Sequence, residues 1–113
     1  MTQDSGEYDV FARFASNPHI VDRASSLLTV MANAKRLQML SLMIATELSV
    51  RELASLVHLD HSATSQHLAK LRNAGLVATR RDAQQILYHC DAGEVSNILS
   101  ALITIYADNV AMD

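Results

Sequence analysis

Residues 47–90 read ELSVRELASLVHLDHSATSQHLAKLRNAGLVATRRDAQQILYHC, and the order of start, stop and turn signals along them decides the fold. Ser49, followed three residues on by Glu52, makes the S-x-x-E pattern of a capping box just ahead of Leu53, Ala54, Leu56 and Val57, so a short helix runs from about Val50 to His58. Leu59 and Asp60 form a tight turn. The Asp60 carboxylate is placed to accept from the first amides of the next helix and to favour its positive end, and that helix runs to about Ala74. Gly75 stands where a helix end takes up a left-handed backbone conformation. From Val77 the hydrophobic period drops from 3.6 to 2: Val77, Thr79 and Arg81 alternate with Ala78 and Arg80, and Ile86, Tyr88 and Cys90 alternate with Leu87 and His89. Two short strands result, joined by the polar turn from Arg81 to Gln84. That turn lacks the Asn-Gly or Asp-Gly pair of the tightest hairpins.

Outward from this stretch the chain is helical. Upstream, Asn17 and Pro18 read as an N-cap and a first helical proline. Ile20, Ala24, Leu27, Leu28 and Met31 then fall on one face, with Asp22, Arg23 and Ser26 on the other. A second helix spans Ala34 to about Ala45, with Leu37, Leu40, Ser41 and Ile44 expected on the core side. Downstream, Asp91 is read as the cap of a last helix from about Gly93 to Val110. Residues 1–16 read as a polar N-terminal leader in which Val10, Phe11 and Phe14 keep some helical spacing. The expected fold class is mainly α (α+β): a winged helix-turn-helix in which four helices, a β-hairpin and a fifth helix form one domain over residues 17–113.

Composition narrows the function. A chain of 113 residues, half of them apolar, has room for one small core. No apolar run approaches the roughly 20 residues needed to cross a bilayer, and the acidic, polar start is unlike a signal peptide, so the expected location is cytoplasmic, with no membrane partner. A single cysteine, Cys90, excludes an internal disulfide framework. The formal net charge of -3 argues against indiscriminate coating of nucleic acid. Between His61 and Arg81, however, Lys70, Arg72, Arg80 and Arg81 occur without one acid. Glycine-rich phosphate loops, H-E-x-x-H and G-x-S-x-G are all missing, so no enzyme is expected.

In a helix-turn-helix the second helix enters the major groove of DNA, and here that helix is Asp60 to Ala74. If Thr64, Leu68 and Leu71 face the core, with His67 at the margin, then His61, Ser62, Ser65, Gln66 and Ala69 face outward. Gln can donate to and accept from adenine at once, and Ser can pair with bases or phosphate. Lys70, Arg72, Arg80 and Arg81 are the expected phosphate contacts, with Arg81 or Gln84 at the hairpin tip within reach of a neighbouring minor groove. The expected partner is double-stranded DNA.

The motifs MANAKRL over 31–37, ELSVREL over 47–53, SATSQHLAKLR over 62–72 and RRDAQQILY over 80–88, in that order, resemble the ArsR/SmtB family of bacterial winged-helix repressors. The resemblance covers about Leu27 to Tyr106, and within the family it is similar to a branch of nodulation, biofilm and virulence regulators. It implies a homodimer, formed through the first and last helices, that binds a palindromic operator and blocks transcription. The candidate dimer residues are Ile20, Leu27 and Leu28 in the first helix and Leu99, Leu102, Ile103 and Tyr106 in the last. The last helix supports this independently, because Val95, Ile98, Ile105 and those four residues cover more than one face and would leave apolar surface in water.

The family's signal-sensing sites do not carry over. Its soft-metal site is a Cys-x-Cys pair whose positions match Ser49 and Arg51 here. Its zinc site needs histidine in the last helix, which has none. Thiol-sensing members use two cysteines whose positions match Ser41 and Ala107. No metal and no cofactor is therefore expected, and Cys90 is read as a small buried residue. Two alternatives of the same fold are a redox- or ligand-responsive regulator, and a winged helix that binds protein instead of DNA. The second would call for acids or bulky apolar residues on the recognition face.

Overall fold

A computed structural model describes residues 5–110, in the order α1 (Ser5–Ala15), α2 (Pro18–Met31), α3 (Ala34–Ala45), α4 (Val50–Val57), α5 (His61–Asn73), β1 (Ala78–Asp82), β2 (Gln85–His89), α6 (Gly93–Ile105) and α7 (Ala107–Val110). The helix-turn-helix and hairpin expected from the sequence are therefore present, and the architecture is a mostly helical winged helix-turn-helix. Residues 1–4 of the leader and 111–113 of the domain lie outside the described residues. Among the described residues, no helix is long and apolar enough to cross a membrane.

The chain divides into two compact units, Met1–Met31 and Ala32–Asp113. In the first, the segment read as a leader carries helix α1, and Asn17 caps α2 by accepting from the Ile20 amide at 3.2 Å. Val10, Phe11 and Phe14 on α1 and Ile20 and Leu28 on α2 are all exposed.

In the second unit, α3 lies against α4, α5, α6 and β2. Asn33 caps α3 by accepting from the Arg36 amide at 3.0 Å. The buried face of α3 is Met39, Leu40 and Met43, whereas Ser41 and Ile44 point outward. Of the expected set, Leu40 is buried and Leu37 half-buried, whereas Met39 and Met43 take the core places expected for Ser41 and Ile44. Methionine fills irregular gaps as readily as leucine, and Ile44 can be left in water at modest loss. Leu53, Val57, Leu68, Leu71, Val77 and Val95 join this core together with Leu48, Leu76, Cys90, Leu99 and Thr64, whose hydroxyl donates to the Asp60 carbonyl at 2.8 Å.

The helix ends around the turn are closed by local hydrogen bonds. Both halves of the capping box form: the Glu52 amide donates to Ser49 Oγ at 3.1 Å, and the Ser49 amide donates to Glu52 Oε1 at 2.9 Å. The Ala63 amide donates to Asp60 Oδ1 at 2.7 Å. Between them His58 takes a left-handed φ of 58°, and Lys35 Nζ donates to the Val57 carbonyl at the end of α4. Gly75, at φ 76°, closes α5 with two bonds, Gly75 to Arg72 at 2.9 Å and Leu76 to Leu71 at 3.0 Å. That pair is the Schellman pattern, and it returns Leu76 to the core.

The hairpin is tighter than expected. Asp82 pairs with Gln85, so only Ala83 and Gln84 form the loop, and Ala83 supplies the positive φ of 57° that Gly or Asn normally provides. Leu48 adds a one-residue third edge, exchanging both backbone bonds with Tyr88. Asp91 does not cap the last helix. Ala92 occupies the cap position without a side-chain bond, and the Asp91 carboxylate turns back to His89 instead. The helix is also interrupted at Tyr106.

Candidate nucleic-acid interface

The caps and the core fix which face of α5 looks outward. Burial of Thr64, Leu68 and Leu71 leaves His61, Ser62, Gln66, Ala69 and Lys70 exposed, with Ser65 half-buried between the two faces. His61, Ser62, Ser65 and Gln66 fall within the first six residues of the helix, where a recognition helix meets base edges. Arg72 is exposed in the last turn of the helix, where its charge also suits the helix dipole. His67 lies at the core margin, with Nδ1 3.2 Å from Arg36 Nη1. Partial burial holds its pKa below the usual histidine value, and the nearby Arg36 and Lys70 charges act in the same sense.

The hairpin separates two neighbouring arginines. Strand alternation sends Arg80 to the face of Leu87 and His89, and Arg81 to the face of Thr79, Ile86 and Tyr88. Arg80 is already engaged, because Nε and Nη2 each donate to a Glu47 carboxylate oxygen at 2.7 Å. This fork-to-fork geometry lowers the Glu47 pKa, mainly through the hydrogen bonds from Arg80. Arg81 is exposed, and Gln84 sits at the tip. The structure thus brings His61, Ser62, Ser65 and Gln66 onto one surface of α5, leaves Arg81 exposed on the wing, and ties Arg80 to Glu47. Glu47 was missed in the sequence because its partner is 33 residues away, and only the register of the hairpin brings them together.

Beside the recognition helix lies a cleft of about 250 Å³, lined by Ser49, Val50 and Arg51 of the α4 start, His61 of the α5 start, and Gln85 and Ile86 of β2. No carboxylate lines it. Arg51 and Gln85 did not stand out in the sequence, where each looks like an ordinary solvent-facing residue.

Each of the two units also exposes apolar side chains. Leu99, Leu102, Ile103 and Tyr106 fall at i, i+3, i+4 and i+7, one stripe that is buried at Leu99, half-buried at Leu102 and exposed at Ile103 and Tyr106. Ile105 alongside is 67% exposed. On α2, Ile20 and Leu28 are exposed and Leu27 is half-buried.

Cys90 is 5% exposed, and burial pushes its thiol pKa up, which suits a packing residue and not a reactive thiolate. His89 lies between two carboxylates, with Nε2 3.2 Å from Asp91 Oδ2 and Nδ1 3.8 Å from Glu47 Oε2. Among the described residues no group of three or more His, Cys, Asp or Glu side chains is arranged to hold a metal ion.

Residues 33–79 match the family model described as bacterial regulatory protein, arsR family. The chain is 49% identical over 86 residues to the nodulation protein NolR of Rhizobium meliloti, covering 76% of this chain and 70% of that protein. It is 46% identical over 84 residues to the transcriptional activator HlyU of Vibrio cholerae, covering 74% and 78%. The crystal structure of NolR from Sinorhizobium fredii superposes with a TM-score of 0.73 at 42% identity, covering 94% of this chain and 97% of that one.

Proposed function

This chain belongs to the ArsR family of bacterial regulatory proteins and is a DNA-binding regulator of transcription, not an enzyme; from that premise we propose that it is a cytoplasmic homodimer that represses by occupying a palindromic operator. The observation that carries this reading is the acid-free outer face of α5, where His61, Ser62, Ser65 and Gln66 project beside a hairpin tipped by Arg81 and Gln84. A major groove about 12 Å wide admits such a helix. Ser62, Ser65 and Gln66 read base edges, Gln66 by its paired donor and acceptor. His61, Lys70, Arg72 and Arg81 hold phosphates, and Gln84 reaches the neighbouring minor groove. Arg80 acts in this grip only to the extent that its pairing with Glu47 leaves Nη1 available.

Two copies join through Ile20, Leu27 and Leu28 of α2 and the stripe formed by Leu99, Leu102 and Ile103 of α6 with Tyr106 at its end. The support is the apolar surface that one chain leaves in water, with Ile103 49% and Tyr106 58% exposed. A two-fold dimer presents two copies of α5, so its operator has two-fold symmetry with half-sites about one helical turn apart. Occupying such a site near a promoter blocks transcription without any further contact.

The test is binding of the purified protein to its own promoter region and to random duplex at moderate salt, followed by nuclease protection. Tighter binding to the promoter segment and a two-fold symmetric footprint are expected. Equal affinity for both duplexes contradicts the reading. Removing the protein should raise transcription from that promoter, and a fall would make it an activator.

A further inference from the structure

We propose that the cleft between the starts of α4, α5 and β2 seats one phosphodiester of the bound DNA, with Arg51 as its principal cation; the proposal rests on the DNA-binding reading above. The lining is suited to an oxyanion. Arg51 brings a guanidinium, His61 a ring N–H, Gln85 an amide and Ser49 a hydroxyl, and Val50 and Ile86 complete the lining. Ser49 Oγ accepts from the Glu52 amide, which leaves its O–H free to donate. The one nearby acid, Glu52, has its carboxylate turned back to the Ser49 amide. The grip therefore comes from side chains, since the capping box already uses amides at the α4 N-terminus.

Two further observations favour DNA as the occupant. Among the described residues, Arg51, like Lys70, Arg72 and Arg81 of the expected grip, is exposed and has no hydrogen bond or ion pair, whereas Lys35, Arg36 and Arg80 are each engaged within the chain. The cleft is also continuous with the reading surface. It includes His61, the first residue of the recognition helix, and Ile86, which pairs across the hairpin with Arg81 on the same strand face. A backbone running between α5 and the hairpin tip would pass this point, and a planar guanidinium fork suits a phosphodiester's two free oxygens.

The decisive measurement compares wild type with Arg51→Ala on the promoter duplex and on random duplex over a range of salt. Loss of affinity by the same factor on both duplexes is expected, with the slope of log affinity against log salt falling by about 1 for each subunit. Arg51→Lys should keep most of the slope and lose part of the affinity. Gln85→Ala should weaken both duplexes less than Arg51→Ala does. Replacing single phosphates of the promoter duplex by methylphosphonate should reveal one position per half-site where wild type weakens and Arg51→Ala does not weaken further. If wild type prefers its promoter while Arg51→Ala keeps wild-type affinity and slope, this proposal is wrong and the regulator reading stands. If wild type shows no preference, both fall. Binding of inorganic phosphate that depends on Arg51, together with unchanged DNA affinity, would make the cleft a free-anion site and overturn the proposal.

Discussion

Asp60 and Asp91 each stand just ahead of a helix, yet only Asp60 caps the one that follows. The Asp60 carboxylate takes the Ala63 amide at 2.7 Å, whereas the Asp91 carboxylate faces His89 at 3.2 Å and α6 begins without a side-chain cap. The difference extends through both regions. Helix α5 is capped at its start, closed by a Schellman turn at Gly75, and anchored by Thr64, Leu68 and Leu71. Helix α6 is uncapped, breaks at Tyr106 and leaves Ile103 and Ile105 exposed. A helix that reads base edges must have its outer face fixed by its own chain, because a small rotation moves every side chain off its target. A helix that joins a second copy can leave its apolar face to be covered by that copy.

The contrast can be broken most sharply by exchanging core and surface lesions. Leu68→Ala should lower unfolding stability in urea by about 2–5 kcal/mol, the loss typical of emptying a packed site. Ile103→Glu should leave the chain folded while sedimentation at micromolar concentration shifts from a dimer to the 12.4 kDa chain. An Ile103→Glu protein that stays dimeric would show that α6 is not the interface. The caps come next. Asp60→Ala should cost about 0.5–2 kcal/mol, as N-cap removal does. Asp91→Ala, away from any cap, should fall within about 0.5 kcal/mol of wild type. Equal losses at the two positions would erase the distinction between the helix starts.

Smaller effects sharpen it further. Glu47→Gln removes the counter-charge from Arg80, so the salt dependence of DNA binding should steepen by about 1 per subunit. An unchanged slope would mean that Arg80 already touches phosphate in the wild type. His67 is held below its ordinary pKa, so folding favours its neutral form. Its contribution to stability is complete above the unfolded value near 6.5 and declines as pH falls through that value towards the lower folded one. Denaturation curves at pH 7.5 and 5 should therefore differ more for wild type than for His67→Gln.

The parts of the molecule legible in the sequence are those fixed by contacts between near neighbours. The box at Ser49 and Glu52, the Asp60 cap, the Gly75 stop and the inward Thr64, Leu68 and Leu71 all follow from residues within five positions of one another. Asp91 misled because cap chemistry at the right spacing is not enough. Ala92 took the cap position once the Asp91 carboxylate turned back to His89. The core face of α3 was misjudged because apolar residues surround that helix, and only its neighbours select Met39 and Met43 over Ile44. The two-residue loop was hidden by Ala83, which holds a left-handed conformation without a glycine to announce it. Glu47 with Arg80, and Arg51 with His61 and Gln85, are assembled by tertiary structure from distant positions, and no local pattern marks them.

The most direct test of DNA reading by α5 is the base preference of Gln66→Ala, measured against wild type on the promoter duplex and on every single base-pair variant of one half-site. The loss of discrimination should be confined to one or two adjacent positions, by about 1–3 kcal/mol, with preference elsewhere intact. Uniform weakening at every position, or an unchanged preference throughout, would contradict it.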